Sequence, residues 1–159
     1  MQWFRILATV AVLVLLQTSL VPRLEVEGAG PNLLLVFVVW RALGWPLESS
    51  YLPCWLAGLA RDVFSGGGRL GASAALYLLL AMVIARVRRG LFVEHMVTQV
   101  LVVAGASLAS EAVWRLVWFH PPGLAWSEAA WQVLGGTLYT VLATPLLLGL
   151  FWCFGWRWR

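Results

Sequence analysis

Gly58-Leu-Ala-Arg-Asp-Val-Phe-Ser-Gly-Gly-Gly-Arg-Leu-Gly71 joins two apolar runs of the chain, about 51–65 and about 70–86. Adjacent Arg61 and Asp62 close the first run, a glycine cluster follows, and the second run begins at once. In lipid a charge at a helix centre costs roughly 2.5–3.5 kcal/mol on insertion scales, so charges kept in such a place need partners. Glycines between two apolar runs suit a tight hairpin and close helix contact. The stretch therefore reads as the bend of a membrane-embedded helical hairpin. The same reading extends to the rest of the chain.

Of 159 residues, 62% are hydrophobic and 11% are charged, against about 25% charged in an ordinary soluble domain. A soluble fold of this size cannot hide so much apolar surface. The net charge is +4, and all eleven basic residues are arginine. They are dispersed except for Arg86-Val-Arg-Arg89, so there is no clustered basic face of the kind that binds nucleic acid. Cys54 and Cys153 sit in apolar runs without CxxC or Cys/His spacing and read as small buried hydrophobes. No cofactor or metal ligand set is visible.

A spanning helix needs about 20 apolar residues. Apolar runs at about 3–21, 31–47, 51–65, 70–86, 92–119 and 126–155 predict an all-α polytopic bundle of six transmembrane helices in a single domain, 1–159. Runs 2 and 3 are short, and an interfacial or re-entrant placement stays open for them. The first run ends in Gln17-Thr-Ser-Leu-Val-Pro-Arg23, without the small-residue cleavage site of a signal peptide, and reads as a retained helix. With both termini cytoplasmic, Arg5, Arg41, Arg86, Arg88, Arg89, Arg157 and Arg159 share the inner side. Arg23, Arg61, Arg69 and Arg115 fall outside with Glu25, Glu27 and Glu128, as the positive-inside rule prefers. Trp3, Trp45, Trp126, Trp156 and Trp158 mark span ends.

Several residues invite a chemical reading. On a helix Arg61 and Asp62 point about 100° apart and are poor mutual partners. Asp62 either approaches water at the helix end, or caps the glycine turn and pairs with a charge elsewhere. No second carboxylate, histidine or nucleophile stands with it, so catalysis by Asp62 is not indicated. Glu111 and Arg115 are four apart, the spacing that pairs opposite charges on one helix face. If spans 3 and 5 are neighbours, Arg61, Asp62, Glu111 and Arg115 form one network. The glycine cluster lacks the Lys-Ser/Thr ending of a phosphate loop and follows no strand. Small residues Gly71, Ala72 and Ala75, then Gly105, Ala109 and Ala112, then Gly136, Thr140 and Ala143 predict close helix packing or a docking face. Glu94-His95 and His120 read as solvated interface and loop residues.

The order of motifs is similar to a known family. Leu16-Gln17-Thr18-Ser19-Leu20-Val21-Pro22 closes the first run and Pro31-Asn32-Leu33-Leu34-Leu35 opens the second. Gly58–Gly66 then precedes Leu70-Gly71-Ala72-Ser73-Ala74-Ala75-Leu76-Tyr77. Over about residues 13–90 this resembles the bacterial rod-shape-determining MreD family, which typically carries Pro-Asp where this chain has Pro31-Asn32. The resemblance implies a non-enzymatic scaffold in the bacterial cytoplasmic membrane, serving lateral peptidoglycan synthesis. It implies binding to the transmembrane helix of MreC and, through it, to the RodA–transpeptidase synthase and the MreB filament. Candidate partner-binding or structural residues are Pro31, Asn32, Gly58, Arg61, Asp62, Gly71, Tyr77, Glu111 and Arg115, with docking expected around Gly58, Asp62, Gly71 and Tyr77. The compact six-helix form is also similar to substrate-binding subunits of energy-coupling-factor transporters, giving a vitamin-type binding subunit as the alternative. Those subunits carry an early Ala-x-x-x-Ala motif, whereas Ala8 and Ala11 here are three apart. A third class, an intramembrane enzyme, requires a water-accessible catalytic pair.

Overall fold

The computed structural model describes residues 2–26, 29–64, 70–90, 95–114 and 126–153. Expectations placed on Glu27, the glycine turn 65–69, Glu94, Arg115, His120 and the C-terminal arginines lie outside the described residues. What is described is all-helical. The helices are α1 (Gln2–Ser19), the short α2 (Val21–Leu24), α3 (Leu33–Gly44), α4 (Leu47–Phe64), α5 (Ala72–Val87), α6 (Met96–Val113) and α7 (Trp126–Cys153). A 3-10 turn, Arg88–Gly90, follows α5. Apart from the four-residue α2, the six α-helices described run from 12 to 28 residues. Three segments, Trp3–Arg23, Met96–Val113 and Ser127–Phe151, are long and apolar enough to cross a membrane.

The organising element is the shortest of the six. α3 has 12 residues, about 18 Å at 1.5 Å per residue, well below the roughly 30 Å of a bilayer core. Its hydrophobicity runs round the whole helix, the pattern of a buried helix. Leu33–Leu43 are all buried, with Leu35, Val36, Phe37, Val38 and Val39 at 0% exposure. Around it stand α1, α4, α5, α6 and α7, each in contact with α3. Contacts between neighbours run α1–α4, α4–α5, α5–α6 and α6–α7, so the ring is loosest between α7 and α1.

Two ends of the bundle can be distinguished. At the near end, where α1 begins, α3 finishes and α4 begins. Pro53 inside α4 leaves the carbonyl four residues before it without a helical donor. That carbonyl is Ser49 O, and Arg41 Nη2 donates to it at 3.2 Å. The Arg41 guanidinium also stacks 4.5 Å over the Trp45 ring. Arg41 is thus a nearly buried charge (4% exposed), explained by the proline in the neighbouring helix. Arg88 Nη1 donates to the carbonyls of Ala42, Leu43 and Trp45, satisfying the C-terminus of α3. Phe37, Trp40 and Phe151 fill the space beneath, with Trp40 and Phe151 centroids 4.7 Å apart.

The small-residue faces need a correction in phase. On α6 the inward side is Ala106, Ser107 and Ser110, whereas Gly105 and Ala109 are exposed. On α5 it is Ser73 and Ala74 that are buried, and Ala75 faces outward. One residue turns a helix by about 100°, so Gly105 and Ala109, one position before the buried Ala106 and Ser110, turn away from the core. On α7, Gly136 and Thr140 do face inward, joined by Thr144.

Candidate functional site

At the far end, where α1 finishes, polar side chains from five helices meet. Arg61 and Asp62, on successive positions of α4, go to different places. Asp62 crosses to the start of α5: its carboxylate accepts from Gly71 N (2.8 Å), Ser73 N (3.1 Å) and Ala74 N (3.4 Å). These are the otherwise unpaired donors of a helix N-terminus, where negative charge is also favoured by the helix dipole. The amides of Gly71, Ser73 and Ala74 are therefore occupied by the protein's own carboxylate. Gly71 sits at φ 96°, the left-handed region open to glycine.

Gly58, one turn before Asp62, brings α4 against α5. A Cβ at this position would lie 2.4 Å from Ala74 Cα and 2.7 Å from both Ala74 N and Ser73 O. The backbones touch here, as small residues permit between membrane helices. Contact and cap thus fix the same hairpin from two adjacent turns of α4.

Arg61 turns inward instead. Its Nη1 donates to Tyr77 Oη at 2.8 Å, and its Nη2 lies 3.6 Å from Glu111 Oε1 on α6. The guanidinium also lies 5.7 Å from the Tyr77 ring centre and 5.9 Å from that of Trp114. Tyr77 Oη, having accepted from Arg61, donates to Asn32 Oδ1 at 2.9 Å. Asn32 Oδ1 also accepts from Leu35 N at 3.1 Å, so Asn32 is the N-cap of α3. That bond requires the oxygen on this side, which fixes the orientation of the amide.

The start of α3 lies inside the bundle, so its approach strand needs internal partners for its own backbone. Gln17 on α1 supplies two: Nε2 donates to Pro31 O at 3.0 Å and Oε1 accepts from Leu33 N at 2.9 Å. Thr140 on α7 supplies the third, its Oγ1 accepting from Asn32 N at 3.0 Å while donating to Gly136 O at 2.7 Å. Gln17 and Thr140 therefore belong with the candidate residues, although the sequence reading did not place them there. Gln17 stands in the polar triplet Gln17-Thr18-Ser19 that ends the first run, and Thr140 in the series Thr137, Thr140, Thr144 along one side of the last, and those are the signals for them.

The structure thus joins Asn32, Tyr77 and Arg61 by hydrogen bonds and Arg61 to Glu111 by an ion pair, one polar chain linking α3, α4, α5 and α6. It gives Gly58, Asp62 and Gly71 to the α4–α5 hairpin, and Pro31 to Gln17. Of these, Asn32 (4% exposed), Asp62 and Glu111 (8% each) and Tyr77 (0%) are buried. Glu111 meets Arg61 of another helix, and Arg115 lies outside the described residues. Among the described residues no cluster of His, Cys, Asp or Glu could hold a metal ion.

A second feature lies at the near end. In the loose seam between α1 and α7 runs an apolar groove of about 220 Å³, walled by Phe4, Ala8, Val12 and Leu16 of α1 and by Leu150 and Phe151 of α7. Arg5 also lines it. Towards the far end the seam is covered by the connection before α3, where Ala29 and Gly30 approach Gly135 and Gly136.

Comparison with curated proteins and with solved structures gave no match in either case. The family model described as rod shape-determining protein MreD matches residues 1–134, which include the whole polar network except Gly136 and Thr140. With its apolar spanning helices, the chain is a membrane protein that belongs to the MreD family of rod-shape determinants.

Proposed function

We propose that the chain is a non-enzymatic scaffold of the cell-elongation machinery, holding the transmembrane helix of MreC in the α1–α7 seam. Through MreC it serves the RodA–transpeptidase synthase and MreB in lateral peptidoglycan synthesis. It sits in the cytoplasmic membrane with the near end, and both termini, on the cytoplasmic side. The observation that carries this reading is the seam: among the described residues it is the loosest junction of the ring, with α5–α6 the next loosest, and it is concave and apolar. Ala8 and Thr9 on its wall leave room for a helix to approach. The arginines Arg5, Arg41, Arg86 and Arg88 of the near end support the orientation.

In this proposal the residues around Gly58, Asp62, Gly71, Tyr77 and Pro31-Asn32 serve assembly indirectly, by fixing the central helix and the α4–α5 hairpin. The inward direction of Asn32, Asp62 and Tyr77 supports that role. The likeness to substrate-binding subunits of energy-coupling-factor transporters is an architectural part of the proposal, resting on six main helices in one bundle.

The test is depletion and co-purification. Loss of the protein should round rod-shaped cells, and the tagged protein extracted in mild detergent should bring MreC with it. Repeated recovery without MreC, from membranes that contain MreC, would sink the proposal. A tightly held small molecule and co-purifying transporter ATPases would favour the transporter subunit instead.

A further inference from the structure

The two shortest of the six main helices, α3 with 12 residues and α5 with 16, pack on one another. By contrast, the apolar segment of α7, Ser127–Phe151, has 25 residues, and Trp3–Arg23 has 21. At 1.5 Å per residue α5 is about 24 Å long and the α7 segment about 38 Å, against a bilayer core of about 30 Å. A long helix fits the bilayer by tilting, but tilt only shortens the reach of α5. Lipid beside a short helix thins instead.

Because α3 is buried, lipid on this side meets α5 and its hairpin partner α4. Leu79, Met82 and Val83 are exposed on α5, and exposed Arg86 closes that face, about 21 Å from the start of the helix. On α4, exposed Tyr51, Trp55 and Phe64 follow exposed Glu48, and Tyr51 to Phe64 spans about 20 Å. Both faces fall short of the bilayer core. At the near end Arg86 and Arg89 are exposed and take part in no hydrogen bond or ion pair among the described residues. Arg88, between them, serves the end of α3. With Arg5 and Arg41 these arginines outnumber Glu48, the acidic side chain described at that end. Anionic phosphates complement the excess, and a guanidinium can hold one bidentately. A partner helix of ordinary span would overhang α5 by about 6 Å, whereas acyl chains adjust their length.

We propose that the α4–α5 face is a lipid-binding surface that thins the bilayer beside it by about 6 Å and gathers anionic phospholipid, the phosphates pairing with Arg86 and Arg89. Phospholipids with shorter acyl chains need the least compression there and are preferred. The surface is independent of whatever fills the α1–α7 seam.

Photo-crosslinking to lipid tests both parts of the proposal. A photoreactive residue replaces Leu79 of α5 or Leu138 of α7, which are 58% and 61% exposed. The full chain is reconstituted in vesicles of phosphatidylglycerol and phosphatidylcholine in equal amounts, each supplied with myristoleoyl and with oleoyl chains. Mass spectrometry identifies the lipid attached after illumination. At Leu79 the shorter chain should be captured about threefold more often, and phosphatidylglycerol about threefold more often than phosphatidylcholine. At Leu138 the ratio of short to long chains should be close to one. Arg86→Gln combined with Arg89→Gln, both at exposed positions, should bring the headgroup ratio at Leu79 close to one and leave the chain ratio in place. Equal chain ratios at Leu79 and Leu138 would overturn the thinning. A headgroup ratio unchanged in the double variant would overturn the role of the arginines. Crosslinks from Leu79 to a second copy of the chain in place of lipid would overturn both.

Discussion

Gly58→Ala tests the claim that α4 and α5 are held in backbone contact. The new Cβ would fall 2.4 Å from Ala74 Cα, with Ala74 N and Ser73 O at 2.7 Å. Carbon atoms pack at about 3.5–4.0 Å, so the helices must part by roughly 1 Å or more. All the atoms met are backbone or Cα atoms, and no rotamer change can relieve them. Overpacking of this kind costs about 1–3 kcal/mol. Parting the helices also lengthens the bonds from Ser73 N and Ala74 N to Asp62, now 3.1 and 3.4 Å. Hydrogen bonds to a charged group contribute about 1.5–3 kcal/mol each, so partial loss brings the total to about 3–4 kcal/mol. For a chain of this length that corresponds to a midpoint lowered by on the order of 10 °C. The control is Gly105→Ala on α6, where an added Cβ meets nothing within 4 Å. Thermal unfolding in detergent, followed by tryptophan fluorescence, compares the two. If Gly58→Ala melts within about 2 °C of Gly105→Ala, the close approach is not a feature of the folded protein.

Other perturbations separate the parts of the network. Asp62→Ala uncaps α5 and should lower stability by about 2 kcal/mol, with hydrogen exchange accelerated at the amides of Ser73 and Ala74; unchanged exchange there would contradict the cap. Tyr77→Phe removes the hydroxyl between Arg61 and Asn32 and should cost about 1.5–3 kcal/mol in the same unfolding assay. Thr140→Val, nearly the same shape, leaves the buried Asn32 N–H without its acceptor and should cost about 1–3 kcal/mol. A Thr140→Ser variant should restore most of it, and equal loss in both would point to packing instead.

Much of this was legible from local chemistry. Apolar runs broken by proline, glycine and charge give six main helices, because a membrane leaves backbone polar groups few other ways to be satisfied. The divergence of Arg61 and Asp62 follows from their 100° separation on α4. Their destinations do not: that Arg61 meets Glu111, and Asp62 the start of α5, depends on which helices are neighbours. The same limit hid Thr140, which serves Asn32 from 108 residues away. The short second run was open to an interfacial reading, yet α3 is the buried centre, since length alone does not tell a surface helix from a core one. The inward faces of α5 and α6 were misphased because alanine, glycine and serine give almost no hydrophobic contrast around a helix. Arg41 reads as a topology signal in the sequence, and its contacts with Ser49 O, freed by the proline in α4, and with the Trp45 ring appear only in the folded chain.

The most direct measurement is site-specific photo-crosslinking in living cells. A photoreactive residue at Ala8 or Val12, on the α1 wall of the seam, should crosslink to the transmembrane helix of MreC. The same residue at Leu101 or Gly105, on the exposed side of α6, should not. Crosslinks to MreC from α6, with none from either seam position in protein that accumulates normally, would contradict the account.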